Sequence, residues 1–305
     1  MKFSLFFVQP ARHALLEAGD RLSRRDTLTQ IYLIEYAARA GKIERAMDHY
    51  DIVLRRRGAF RDQAGRNLAL GLSDPEILGE VARQLAEKPS WSSLLFYYAV
   101  RTPEGFDGFL DLHRMTAGDD VIPAETSAAF AGALVSKGRI GDAVEVARIV
   151  DADSALARTR GLTETDFATA PQVEGLANGT WPGLWSVRDQ ATAFLQPLAG
   201  GGALASLSSG ANGVIARRLV ALEPGSYSVR IALASQEDQG PTMGRSRTEI
   251  DSGLSCADGT APSRGEANFT VTDDCRYQWL AVSLPKTQLR AGDIVIDEIA
   301  ITPVR

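Results

Sequence analysis

Apolar residues between Thr27 and Arg57 recur three and four positions apart, and the pattern breaks once, at Gly41. Ile31, Leu33, Ile34, Ala37 and Ala38 make one face. Ile43, Ala46, Met47, Tyr50, Val53 and Leu54 make a second. The spacing predicts two helices joined at a C-cap glycine. The same period returns in Ala11–Arg25, Arg61–Leu72, Asp74–Glu87, Ser90–Val100, Pro103–Met115, Pro123–Lys137 and Gly141–Val150, with Gly138 repeating the role of Gly41. Asp74-Pro75-Glu76 is a helix start: a capping acid, a proline at the first helical position and an acid in the first turn. Trp91, Leu94, Leu95 and Tyr98 share one face of their helix.

Between Asp151 and Gly183 the helical period stops and glycines and prolines accumulate, which reads as a linker. Beyond it the pattern shortens to strands: Leu184–Val187, Ala193–Leu198, Ala203–Leu207, Val214–Leu222, Ser226–Ala234, Thr248–Cys256, Ala267–Thr272, Tyr277–Leu284 and Asp293–Thr302. Short strands of near-even spacing, punctuated by turns such as Glu223-Pro224-Gly225, predict an all-β antiparallel sandwich. The expected fold class is multidomain α and β. A helical domain spans 1–160, a linker 161–183 and a sandwich 184–305.

The first hairpin resembles a tetratricopeptide repeat. Leu33, Gly41, Ala46 and Tyr50 stand at that family's leucine, glycine, alanine and aromatic positions. Gln30 departs from an expected aromatic, Ile34 from a small residue and Gly58 from a closing proline. Phe130, Gly138 and Ala143 repeat the spacing, with Ala147 in place of the aromatic. The resemblance implies an α-hairpin solenoid whose concave face holds a protein partner. Ala11–Arg25 then reads as the second helix of a hairpin whose first helix is missing; either Met1–Pro10 covers the flank this exposes, or, the favoured expectation, the chain is a fragment of a longer protein with any targeting signal upstream. Leu222–Ile231 and Ile294–Ile301 resemble strands of carbohydrate-binding jelly-roll modules. That likeness implies a glycan as a second ligand, although sandwiches of this texture include many that bind no sugar.

Composition narrows the classes. The 305 residues are 45% hydrophobic and 23% charged with net charge −5, the balance of an ordinary globular protein. Neither half is basic, which argues against nucleic acid. No apolar run is long enough for a membrane span, and Met1–Val8 is too short for a signal-peptide core.

The candidate chemistry is sparse. Cys256 and Cys275, the two cysteines, flank one excursion between strands. They read either as a disulfide, which would place the domain in a periplasmic or extracellular setting, or as two independent thiols. The disulfide is the favoured reading. Trp181, Trp185, Tyr277 and Trp279 are the candidate binding aromatics. Leu280, Val282 and Leu284 should face the core, which turns Tyr277 and Trp279 outward, to stack on a sugar beside Asp273, Asp274 and Gln278 or to pack against a neighbouring element. Packing is the favoured reading there. His13, His49 and His113 lie far apart on helices. Gly200-Gly201-Gly202 opens no helix and cradles no phosphate. Arg55-Arg56-Arg57 suits a helix C-terminus. Asn178-Gly179-Thr180 and Asn268-Phe269-Thr270 fit a glycosylation sequon. No zinc, P-loop or nucleophile-elbow motif is present. No catalytic residue, metal or cofactor is therefore expected.

The resulting expectation is a non-enzymatic extracytoplasmic adaptor, with helices holding a protein partner and a sandwich contacting a glycan or a second protein, suited to polysaccharide assembly or export. The alternatives are a polysaccharide-active enzyme with carboxylates between the domains, and a sandwich that caps the solenoid.

Overall fold

The structure is a computed structural model that describes residues 10–22, 26–56, 58–150, 156, 158–169, 181–187, 193–207, 213–233, 251–257, 268–284 and 292–304. The chain divides into two compact units, Met1–Pro123 and Ala124–Arg305.

The first unit carries α1 (Pro10–Leu22), α2 (Thr27–Arg39), α3 (Ile43–Arg55), α4 (Ala59–Gly71), α5 (Pro75–Leu85), α6 (Ser92–Arg101) and α7 (Phe106–Met115), the last entered through a 3₁₀ turn at Pro103–Gly105. The α2–α3 hairpin forms as the sequence predicts. Gly41 adopts φ +66°, a left-handed conformation that costs glycine little. With it, Lys42 N–H bonds the Ala37 carbonyl at 2.9 Å and Gly41 N–H the Ala38 carbonyl at 3.1 Å. These two bonds satisfy carbonyls that the helix end leaves open. Asp74 caps α5 through Glu76 N–H and Ile77 N–H, with Pro75 in the first turn. Asp26 caps α2 by accepting from the Thr29 hydroxyl and from Thr29 N–H, and these hydrogen bonds hold its carboxyl below the usual carboxylate range.

Alternate helices pack together: α3 lies on α5 and α5 on α7, while α4 lies on α6; α2 packs on α3 and α3 on α4. Leu33, Ala37, Met47, Val53, Leu54, Leu72, Leu85, Trp91, Phe109 and Leu112 fill the space between them. Gly108 sits against the backbone of Leu72, where a Cβ would overlap the carbonyl.

The second unit contains α8 (Ala124–Ser136), α9 (Ile140–Val150) and the strands. Gly138 closes the α8–α9 hairpin with φ +74° and the same pair of capping bonds. The strands are β1 (Leu162–Glu164), β2 (Trp185–Val187), β3 (Ala193–Pro197), β4 (Ala203–Leu207), β5 (Gly213–Val220), β6 (Gly225–Leu233), β7 (Asp251–Cys256), β8 (Asn268–Val271), β9 (Gln278–Leu284) and β10 (Gly292–Pro303). They form two antiparallel sheets, in the orders β3-β4-β10-β6-β8 and β2-β5-β9-β7. β1, in the stretch read as linker, pairs with the later part of β10, beyond the part that β4 occupies.

Both sheets contribute to one core. Leu195, Ala205, Tyr227, Ile296, Ile299 and Ile301 come from the first sheet, and Trp185, Ile215, Val220, Leu254, Leu280 and Val282 from the second. Part of the outward face of the second sheet is also buried, at Ser186, Leu219, Ser255 and Ala281. Among the described residues no helix is long and apolar enough to cross a membrane.

Candidate functional site

The site begins with the two-sided character of α3. Its apolar face (Ala46, Met47, Val53, Leu54) enters the core. The other face carries Arg45, Asp48, His49, Ile52 and Arg55, three and four residues apart. With Asp20 of α1, Arg83 and Gln84 of α5, and Glu87 just beyond α5, that stripe lines a groove of about 530 Å³. The volume lies in the range of small-ligand and peptide pockets, about 300–1,000 Å³.

Three helices meet beneath it in a polar relay. Gln30 of α2 is fully buried and His49 nearly so. The Gln30 amide donates to Asp20 Oδ1 at 2.5 Å, and its carbonyl oxygen accepts from His49 Nδ1 at 2.7 Å. A carboxylate can only accept, so the amide nitrogen must face Asp20, and the oxygen is left for His49. His49 therefore carries a proton on Nδ1.

The floor is tied down as well. Trp91 is buried completely, and its indole N–H donates to Asp51 Oδ1 at 2.8 Å. Arg55 Nε donates to the same oxygen at 2.7 Å. Arg83 grips Glu80 with two nitrogens, at 2.9 and 2.5 Å. That contact lowers the Glu80 carboxyl below its ordinary range and raises the Arg83 guanidinium. Arg45 pairs with Glu17 of α1. Asp48 and Glu87 are exposed, and the Glu87 carboxylate lies near enough to Arg83 to add to the rise in its guanidinium. The Gln84 carbonyl oxygen is buried, with no donor among the described residues.

Sequence reasoning missed this constellation. Two signals pointed to it: Gln30 stands where the repeat pattern wants an aromatic, and α3 carries its histidine within a charged stripe. The departure at Gln30 marks a buried polar residue with two partners. His113, by contrast, is a packed core group, its Nδ1 on the Phe109 carbonyl at 2.9 Å and its ring edge-on to Phe109. Burial lowers its pKa to about 4. The His13 side chain, Arg57 and the sequon at Asn178–Thr180 lie outside the described residues.

In the second unit the candidate aromatics do not converge on a surface. Trp185 is in the core, stacked on Phe167, with ring centroids 5.7 Å apart. Trp181 and Tyr277 are buried. Trp279 is half-buried on the outward face, with the Arg217 guanidinium 4.3 Å from its ring centroid. Gln278 is an internal tie, accepting from Leu222 N–H at 2.8 Å and donating to the Cys275 carbonyl at 2.6 Å. Asp273 and Asp274 are exposed. Cys256 and Cys275 lie at disulfide distance, with Cα atoms 5.5 Å apart. Buried Glu164 and half-buried Arg218 make an ion pair on the inner faces of opposite sheets. Burial lowers the Arg218 pKa. Among the described residues, no group of three His, Cys, Asp or Glu side chains could hold a metal ion.

No protein-family model matches the chain, and a search of curated proteins gives no match either.

Proposed function

We propose that this chain is a non-enzymatic adaptor. Its first unit, a tetratricopeptide-like hairpin array, docks a segment of a protein partner, and its jelly-roll-like sandwich contacts a glycan or a second protein. The carrying observation is the groove on α1, α3 and α5, because its walls are charged side chains held in place by buried anchors. Rigid, preorganised polar groups around a concavity lower the ordering cost of binding an extended segment. The Cys256–Cys275 pair supports an oxidising setting, periplasmic or extracellular. Trp279, with Arg217 over its ring, supports the sandwich contact.

Panning a random peptide library on the intact chain tests the docking reading. Peptides that lose binding in Asp48→Ala or Arg55→Ala are the expected result. A library yielding no peptide sensitive to either change would refute docking at this groove.

A further inference from the structure

We infer that Cys256 is a thiol-exchange site, through which a protein carrying a thiol pair closes or opens the bond to Cys275, and that this bond latches β8 onto the first sheet. The two sulfurs sit in unequal surroundings. Cys256, at the end of β7, is half-buried, whereas Cys275 is 4% exposed. Exchange needs a thiolate to reach one sulfur and expel the other, so access selects Cys256 as the sulfur attacked and Cys275 as the one expelled. The partner's thiolate adds to Cys256 Sγ, the bond to Cys275 breaks, and its electron pair leaves on Cys275. The second thiol of the partner then attacks the partner sulfur of the mixed disulfide, closes the partner's own disulfide and releases Cys256. Two electrons and two protons pass from the partner's dithiol to this chain. In an oxidising setting the same steps run in reverse and close the bond.

Cys275 has a neighbour for each state it passes through. Gln278 Nε2 lies 3.5 Å from its sulfur and the Tyr277 carbonyl oxygen 3.6 Å. The amide N–H donates to the thiolate as it forms, and the carbonyl accepts from the thiol once it is protonated. Gln278 is held in place for this. Its oxygen accepts from Leu222 N–H, and the other hydrogen of its amide goes to the Cys275 carbonyl.

Among the described residues, the span between the two cysteines contains one strand, β8. It lies at the end of the first sheet and pairs with β6 over four residues, from Asn268 beside Ser228 to Val271 beside Gly225. Val271 is four positions before Cys275. With the bond closed, both ends of the span are tied to the second sheet, because Cys256 pairs with Gln278 of β9. With it open, β8 keeps a four-residue ladder but loses the constraint on its loop, and local opening becomes easier.

Intact mass of the natively purified chain comes first, and two free thiols overturn the inference. A brief pulse of excess mercaptoethanol, stopped with acid and mapped by digestion at low pH, then reads the mixed disulfide. The adduct is expected on Cys256, in about tenfold excess or more over Cys275. Adducts shared equally, or favouring Cys275, overturn the exchange site. Cys275→Ala and Cys256→Ala give a second reading with the neutral reagent dithiodipyridine. The Cys256 thiol should react about tenfold faster or more in the folded chain, and equal rates there overturn the assignment. The pulse on the unaltered chain decides if either variant fails to fold. Hydrogen exchange before and after reduction tests the latch. Reduction should speed β8 exchange about tenfold or more, at a rate nearly independent of added urea, the mark of local opening. Exchange at β8 that is unchanged, or that rises with urea as β10 exchange does, overturns the latch.

Discussion

Replacing Gln30 by leucine isolates the relay under the groove. The side chains are close in size, so the change removes polar contacts more than volume. It takes the acceptor from His49 Nδ1, which is buried, and the donor from Asp20, which is half-buried. A buried donor left unmatched costs about 1–3 kcal/mol. Asp20 can turn to water, so its loss is nearer the ordinary net value of a hydrogen bond, about 1 kcal/mol. The sum is about 2–4 kcal/mol of destabilisation. Native-state hydrogen exchange of the α2 and α3 amides measures it in the helical unit without relying on a global transition. Adding His49→Phe removes the stranded donor, so the double variant should cost less than the two single variants together, by about 1–2 kcal/mol. Single-variant exchange within about 0.5 kcal/mol of the parent, or strict additivity in the double variant, would refute the relay as a structural element.

Further outcomes can be checked separately. His113 titrates near 4 when folded and near 6.5 when unfolded, so the unfolded chain takes up the proton first. Stability held above pH 6.5 should fall by about 3 kcal/mol as pH drops toward 4, and His113→Leu should flatten that slope in urea titrations across the window. Gly108→Ala drives a Cβ into the Leu72 carbonyl, a backbone group that cannot rotate aside; after the gain in helix propensity, a net loss of about 2 kcal/mol is expected by thermal unfolding. Reducing Cys256–Cys275, which are 19 residues apart, should lower the stability of the sandwich by about 3 kcal/mol; intact mass should rise on reduction by two hydrogen atoms. On a glycan array, Trp279→Ala should abolish any signal of the intact chain, and an unchanged signal would remove that ring from the contact surface.

The helices of the first unit were legible because their apolar faces pack on one another at helical period. Leu33, Met47, Val53 and Leu54 are buried where that period predicts. Gly41 and Gly138 marked their turns because a left-handed residue after a helix is a local requirement. The strands were legible too, apart from β1. Three residues, Leu162–Glu164, carry too little period to announce a strand, and pairing with β10 is what makes them one. The outward row of β9 shows what such a pattern leaves open. Alternation placed Leu280 and Val282 in the core, as found, but Tyr277 and Ala281 are buried as well. Alternation says which residues share a face and not whether that face meets water.

The sequence by itself determined the order of helices and then strands, the turn glycines, the Asp74 cap and the inward rows of the core, since each depends on neighbours within a few positions. Only the tertiary structure decided that Asp20, Gln30 and His49 form one chain of hydrogen bonds, that Trp91 anchors Asp51, and that Glu164 meets Arg218 between the sheets. Those partners lie 10 to 40 positions apart along the chain, or farther. A polar side chain chooses between water and burial by whether a distant partner arrives, and no local pattern records that choice.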